Sequence, residues 1–307
     1  MIVRDKAALS VIIVNYLSET VLKLCLSAID SDPLPVEAIV VDNGSSGEAR
    51  AGILQRFHSL RWIEMRNNAG FGKACNAGAR LASTAKLLFL NPDTRLLPGS
   101  LSHLDRLLDT PEHSNAILGC AVYDEDGGIQ LSCRRFPAWG AAIANRYSLI
   151  TRLFPGNALS RTYLMTDKVH DRPSVVDWVS GAAMAMRASV FNRLNGFDEY
   201  YFLYCEDVDL CKRAIQSGIL TRYCHEVKVV HAIGGSSRQM LIRALLYRHH
   251  SVWKYYRRFH GSVFTHIPVA IALSCRFVLL SAQVLILRLR AGLVNGGAED
   301  GTPAKTS

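Results

Sequence analysis

The amino-terminal half of the chain alternates two hydrophobic patterns. Continuous apolar runs at Leu9–Asn15, Ala38–Asp42 and Lys86–Leu90 are short, without a polar face, and suit strands covered on both sides, and Arg61–Met65 reads as a short strand. Between them, Thr20–Ser31, Glu48–Phe57 and Phe71–Leu81 carry apolar residues at helical spacing. Strand and helix in alternation predict βαβ units, and hence a mostly parallel sheet with helices on both faces.

Beyond Leu90 the rhythm loosens. Pro98–Asp109 predicts a helix, and Ile117–Tyr123 with Ile129–Cys133 predicts two paired strands across the turn Glu125-Asp126-Gly127-Gly128. Trp139–Leu153 reads as a helix, Pro155–Pro173 as a long loop, and Val175–Met186 as a strand. A helix over Glu206–Ser217 and a strand over Leu220–Val230 follow.

The carboxyl-terminal pattern is of another kind. Arg238–His260 interleaves basic residues with Leu241, Trp253, Tyr255, Tyr256 and Phe259, which suits an amphipathic helix at a membrane surface. His266–Leu287 then holds 22 residues with Arg276 as its single full charge. About 20 apolar residues cross a bilayer, but a central arginine costs roughly 2.5–3.5 kcal/mol, so a helix lying in or dipping into the interface is expected. A soluble helical hairpin is the alternative. The small, polar stretch 295–307 is expected to be disordered.

Charge sharpens this division. The net charge of +9 is uneven: no acid occurs between Glu226 and Glu299, while ten lysines and arginines do. Without that segment the chain is near neutral, which argues against a global nucleic-acid-binding surface. The eight cysteines form no C-x-x-C pair and indicate neither a zinc ribbon nor a disulfide framework. The amino terminus lacks the pattern of a signal peptide, so a cytoplasmic catalytic domain is expected.

Acids at strand ends supply the candidate chemistry. Asn91-Pro92-Asp93 follows the Lys86–Leu90 run, where open α/β sheets bind ligands, though such a tripeptide is also an ordinary turn. Asp42-Asn43-Gly44-Ser45 ends another strand, but no G-x-G-x-x-G follows the first strand, which argues against a nicotinamide or flavin cofactor. Asn67 to Gly78 opens a helix with Gly70 and Gly72, either as a phosphate-facing N-terminus or as a plain helix entrance. Glu206-Asp207-Val208-Asp209 begins a helix. Asp209 is spaced to pair with Arg213, leaving Glu206 and Asp207 to face a cleft. His231 ends a strand and is either structural or a ligand for a metal or diphosphate.

Taken in order, Val11–Tyr16, Val41–Ser45, Asn67–Gly78, Phe89–Asp93, Val179–Ala182, Gly196-Phe197-Asp198 and Tyr204–Leu210 resemble the family 2 inverting glycosyltransferases of GT-A fold, especially bacterial rhamnosyltransferase-like members. The resemblance implies a GT-A catalytic domain over 1–235, to which the basic and apolar pattern beyond it adds a helical membrane-associating segment over 236–294 and a tail over 295–307. It implies that Asp42, with Asn15 beside it, recognises the base of a nucleotide sugar, and that Asn67, Gly70, Gly72 and Asn91 line the donor. Asp93 would hold Mg²⁺ or Mn²⁺, helped by His231, because the family's acidic motif is reduced here to one carboxylate. Asp207 would be the catalytic base with Glu206 beside it, and Trp178 and Gly181 would floor the acceptor site. The expected donor is dTDP-rhamnose and the expected acceptor a polyprenyl-diphosphate-linked glycan, reached from an anionic membrane on the cytoplasmic face of the inner membrane. A transferase using a UDP-hexose, or an inactive scaffold of a glycan-assembly complex, are the alternatives.

Overall fold

In chain order the strands are β1 (Leu9–Asn15), β2 (Val36–Asp42), β3 (Arg61–Glu64), β4 (Lys86–Leu90), β5 (Thr94–Leu96), β6 (Ala116–Tyr123), β7 (Ile129–Gln130), β8 (Cys133–Arg134), β9 (Ser174–Val176), β10 (Trp178–Val179), β11 (Ala183–Arg187) and β12 (Leu220–His231). The helices are α1 (Glu19–Asp30), α2 (Gly47–Arg56), α3 (Phe71–Leu81), α4 (Ser100–Asp109), α5 (Ala158–Leu164), α6 (Ala188–Arg193), α7 (Glu206–Gln216), α8 (Leu241–Phe259) and α9 (Val263–Gly296). These come from a computed structural model that describes residues 7–137, 153–154, 157–165, 170, 172–232 and 241–296. The chain divides into two units, Met1–Ser236 and Ser237–Ser307.

The first unit is built on a mixed sheet ordered β3-β2-β1-β4-β11-β6-β12-β5. β3, β2, β1 and β4 are parallel neighbours, and every residue of β1 and β4 is buried, as their continuous apolar runs require. β11 enters antiparallel between β4 and β6, so β6 and its parallel partner β12 run in the same direction as β4. The carboxyl ends of β1, β2, β4 and β12 therefore share one edge, and β11 begins at that edge. Every candidate acid except those of α7 lies at the end of one of these strands or just beyond it.

Helix periodicity decides which faces pack. α1 buries Leu22, Cys25, Leu26 and Ile29, and α4 buries Leu101, Leu104 and Leu108, both at spacings of three and four. α3 lies tight against the sheet: a Cβ on Gly78 would lie 2.6 Å from Ile12 Cγ2. α7 buries Val208, Leu210, Cys211 and Ala214.

Several expectations change. The run Val175–Met186 is not one strand; it breaks into β9, β10 and β11 around the buried turn at Gly181, and β10 leaves the main sheet to pair with β8. The expected loop Pro155–Pro173 contains α5. The short elements β5 and α6 have too few residues to show a period. Apart from Leu153, the helix expected over Trp139–Leu153 lies outside the described residues.

In the second unit α8 and α9 form a helical pair, with the His249 and Phe277 rings 5.8 Å apart and Tyr255 and Tyr256 buried. α9 runs to Gly296, into the first residues of the stretch expected to be disordered; residues 297–307 lie outside the described ones. His266–Ile286 is long and apolar enough to cross a membrane, and little of its surface is covered. Ile271, Val278 and Leu279 are 59%, 63% and 63% exposed.

Candidate active site

Two differently built walls meet at the carboxyl edge of the sheet. On the first, Asp42 is almost fully buried, yet its oxygens are occupied by its own turn. Oδ1 accepts from Gly44 N at 3.2 Å, Ser45 N at 3.0 Å, Ser45 Oγ at 2.7 Å and Asn15 Nδ2 at 3.2 Å. Asn15 is held in turn by Ser18 Oγ, which donates to its Oδ1 at 2.8 Å. Asn43 ties this wall to the next loop, donating to Gly70 O at 3.1 Å and accepting from Ala69 N at 3.3 Å.

Packing accounts for Gly70 and for Gly72 in the first turn of α3. Gly70 has φ +85°, and a Cβ there would lie 2.2 Å from Phe202 O, the same carbonyl that accepts from Phe71 N at 2.9 Å. A Cβ on Gly72 would lie 3.1 Å from Phe197 Cβ. Asn67 is exposed at the loop surface. Asn76, not singled out from the sequence, exchanges two hydrogen bonds with the Phe197 backbone, at 2.8 and 2.9 Å, and so locks α3 to the Gly196-Phe197-Asp198 turn.

The second wall leaves carboxylates less satisfied. Asn91 N donates to Ala182 O at 3.0 Å, fixing the end of β4 against the start of β11. Two residues on, Asp93 Oδ1 is buried and has no hydrogen-bond partner among the described residues, and it lies 3.3 Å from His231 Nε2. The ladder sets this meeting, because Thr94 on β5 is registered opposite His231 on β12. Sequence distance hid it: 138 positions separate the two residues, counted from 93 to 231.

Asp207 joins the same edge through Gly181, whose N–H donates to Asp207 Oδ2 at 3.0 Å; Val208 N donates to Oδ1 at 2.8 Å. Burial pushes the Asp207 carboxyl above the ordinary range, while these two N–H groups and the nearby Arg134 charge pull it back. Glu206 differs. Expected to share the cleft, it instead turns into the interior, its Cβ beside Gly72 and its charge near Cys75, with Oε2 lacking a partner among the described residues. Burial, then the Asp207 charge, push it well above the ordinary carboxylate range. Asp207, with two backbone N–H donors, is the better placed of the pair to carry the charge, whereas Glu206 Oε2 has no donor among the described residues. Asp209 is fully buried and bonded to Arg213 Nε at 2.6 Å, as the spacing of four predicts, and Arg213 also donates to the carbonyls of Leu194 and Gly196.

Trp178 is buried and donates from Nε1 to Arg135 O at 2.8 Å. The Arg134 guanidinium lies over its ring, 5.2 Å from the centroid. Arg134, Gln130 and Asp124 escape sequence reading because their strands or turns are too short to carry a period. Among the described residues no three metal-ligating side chains cluster, so Asp93 and His231 are a two-ligand set.

A mixed sheet with its acids gathered at one carboxyl edge defines an α/β enzyme that holds its ligand at strand ends. The chain belongs to glycosyl transferase family 2, whose family model matches residues 10–191. It is similar to the N-acetylglucosaminyl-diphospho-decaprenol L-rhamnosyltransferase of Mycobacterium tuberculosis (strain CDC 1551 / Oshkosh), 30% identical over 210 residues that cover 64% of this chain and 66% of that protein. The match thus spans about two thirds of that relative's length. Rhamnosyltransferase WbbL of Escherichia coli (strain K12) is 28% identical over 256 residues, covering 81% of this chain and 92% of the relative. Among solved structures, the mannosyltransferase PcManGT from Pyrobaculum calidifontis, in complex with GDP-Man and Mn²⁺, shares the GT-A fold at a TM-score of 0.56 and 15% identity, covering 95% of this chain and 79% of that one.

Proposed function

We propose that the protein transfers rhamnose from dTDP-rhamnose to a hydroxyl of a polyprenyl-diphosphate-linked glycan, inverting the anomeric configuration, in cell-surface polysaccharide synthesis. The rhamnosyltransferase relatives support the sugar, and the lipid-linked substrate in the name of the mycobacterial one supports the acceptor class. The observation that carries the chemistry is the Gly181–Asp207 hydrogen bond, which fixes a carboxylate beside the end of β4.

Asp207 is the base in this reading. It accepts the proton of the acceptor hydroxyl as that oxygen attacks the anomeric carbon from the face opposite the leaving diphosphate. The two backbone N–H groups keep it oriented and ionisable, and Glu206, retaining its proton, adds no second negative charge beside it. Asp42 and Asn15 would face the base of the nucleotide, Asn67 and Asn91 the rest of the donor, and Trp178 the acceptor.

Asp93 and His231 fit a divalent ion, because a buried carboxylate oxygen without a hydrogen bond faces an imidazole nitrogen. Mg²⁺ or Mn²⁺ bound there would neutralise charge on the leaving diphosphate. With two protein ligands, affinity depends on the donor's own phosphate oxygens.

The second unit is read as the membrane contact. Its basic α8 and its uncovered apolar α9 suit an anionic bilayer at the cytoplasmic face. Salt-sensitive binding to anionic vesicles, without binding to DNA, is the expected result.

A donor panel tests the assignment. Turnover of dTDP-rhamnose, with release of dTDP and transfer to a polyprenyl-diphosphate-linked acceptor, is expected; release of UDP from UDP-hexoses with no turnover of dTDP-rhamnose would sink the donor assignment. An inactive scaffold is disfavoured by Asp93 and Glu206, since a buried carboxylate oxygen without a partner costs about 1–3 kcal/mol and gives a scaffold nothing in return.

A further inference from the structure

His231 has a second neighbour. Gln130 Oε1 lies 3.1 Å from His231 Nδ1, while Gln130 Nε2 lies 2.6 Å from Asp124 Oδ1 and 2.9 Å from His231 O. A carboxylate and a backbone carbonyl only accept, so both hydrogens of the amide must point at them. The flipped amide would set oxygen against oxygen twice. The amide oxygen therefore faces Nδ1, and Nδ1 must carry a hydrogen.

In the neutral ring that choice leaves the lone pair on Nε2. Nε2 faces Asp93 Oδ1 at 3.3 Å, an atom without a hydrogen-bond partner among the described residues. In the neutral ring these two acceptors face each other with no hydrogen between them, an arrangement that a shared divalent cation relieves. A tight turn delivers the outermost member of the chain: Asp124 N donates to Gly128 O at 2.7 Å, and Gly127 N donates to Asp124 O at 3.0 Å with Gly127 at φ +80°.

We infer that Asp124 and Gln130 are positioning residues that set the tautomer of His231 and aim its Nε2, with Asp93, at a divalent cation bound together with a nucleoside diphosphate. The inference rests on the metal role given to Asp93 and His231 above. Hydrogen-bond partners of this kind fix ring orientation and raise ligand basicity.

The test uses the full chain, with Mn²⁺ binding followed by the electron paramagnetic resonance of the free ion in the presence of dTDP. Gln130→Leu is expected to weaken Mn²⁺ binding about tenfold to a hundredfold. In the metal-free protein, long-range ¹H–¹⁵N correlation is expected to show the Nδ1–H tautomer of His231 in the wild type and its loss in Gln130→Leu. Asp124→Ala removes the acceptor that holds the amide but leaves Gln130 in place, and is expected to weaken Mn²⁺ binding by less than Gln130→Leu. Should Gln130→Leu not fold, Asp124→Ala carries the test, wild-type Mn²⁺ binding and an unchanged His231 tautomer in that variant counting against the positioning role. Wild-type binding by Gln130→Leu while Asp93→Ala and His231→Ala lose Mn²⁺ would overturn the positioning role alone. Undiminished Mn²⁺ binding by Asp93→Ala and His231→Ala would overturn the metal reading and this inference with it.

Discussion

The two walls of the site solve the same problem in opposite ways. Around Asp42 four donors from the turn and from Asn15 gather on Oδ1 and the Ser45 N–H is shared with Oδ2, so the position of the carboxylate is fixed before any ligand arrives. Around Asp93 and Glu206, buried carboxylate oxygens lack partners among the described residues, and Asp207 is shifted by burial. A self-satisfied wall gives shape at little electrostatic cost. An unsatisfied one keeps its potential for a proton or a cation, at the expense of stability.

Substitutions on the two walls should therefore fail differently. The largest effect is expected at the reactive wall: Asp207→Asn should lower the transfer rate about a thousandfold while leaving donor affinity in place, measured by steady-state transfer and by dTDP titration. Equal loss of rate and donor binding would show that Asp207 shapes the pocket rather than accepting a proton. Gly70→Ala breaks the preformed wall, since the new Cβ meets Phe202 O at 2.2 Å in a left-handed backbone. It should cost about 3 kcal/mol or more in urea unfolding.

Asp42→Ala strips the turn of its acceptor and should cost about 1–2 kcal/mol of stability, with donor affinity falling about tenfold and turnover at saturating donor little changed. A collapse of turnover there would erase the distinction between the walls. The smallest effect is the pH dependence carried by Glu206. Its native carboxyl is raised above the unfolded value, so between those two values the folded state binds more protons and stability falls as pH rises. The slope is at most about 1.4 kcal/mol per pH unit. Glu206→Gln should flatten it in a series of melting temperatures from pH 5 upward. An unchanged slope would mean that the residue is not held protonated.

Much of the molecule was legible in the order of residues. Apolar runs without a polar face gave β1, β2 and β4 because strands covered on both sides tolerate no polar side, and the spacing of α1, α3 and α4 marked the faces they bury. The Asp209–Arg213 pair followed from the pitch of a helix alone. The strand-end positions of Asp42 and Asp93 were equally local facts.

Only the tertiary structure decided which of those acids is spoken for and which is left open. Asp93 meets His231 because β5 registers against β12, Asp207 meets Gly181 because α7 packs where β11 begins, and Gln130 reaches His231 from a hairpin that follows β6. Glu206 and Asp207 look alike in sequence, yet one turns inward against Gly72 and the other meets a backbone N–H. Periodicity records how each segment is buried against the core. Satisfaction of a buried charge depends on donors brought from distant segments, and no local pattern encodes it.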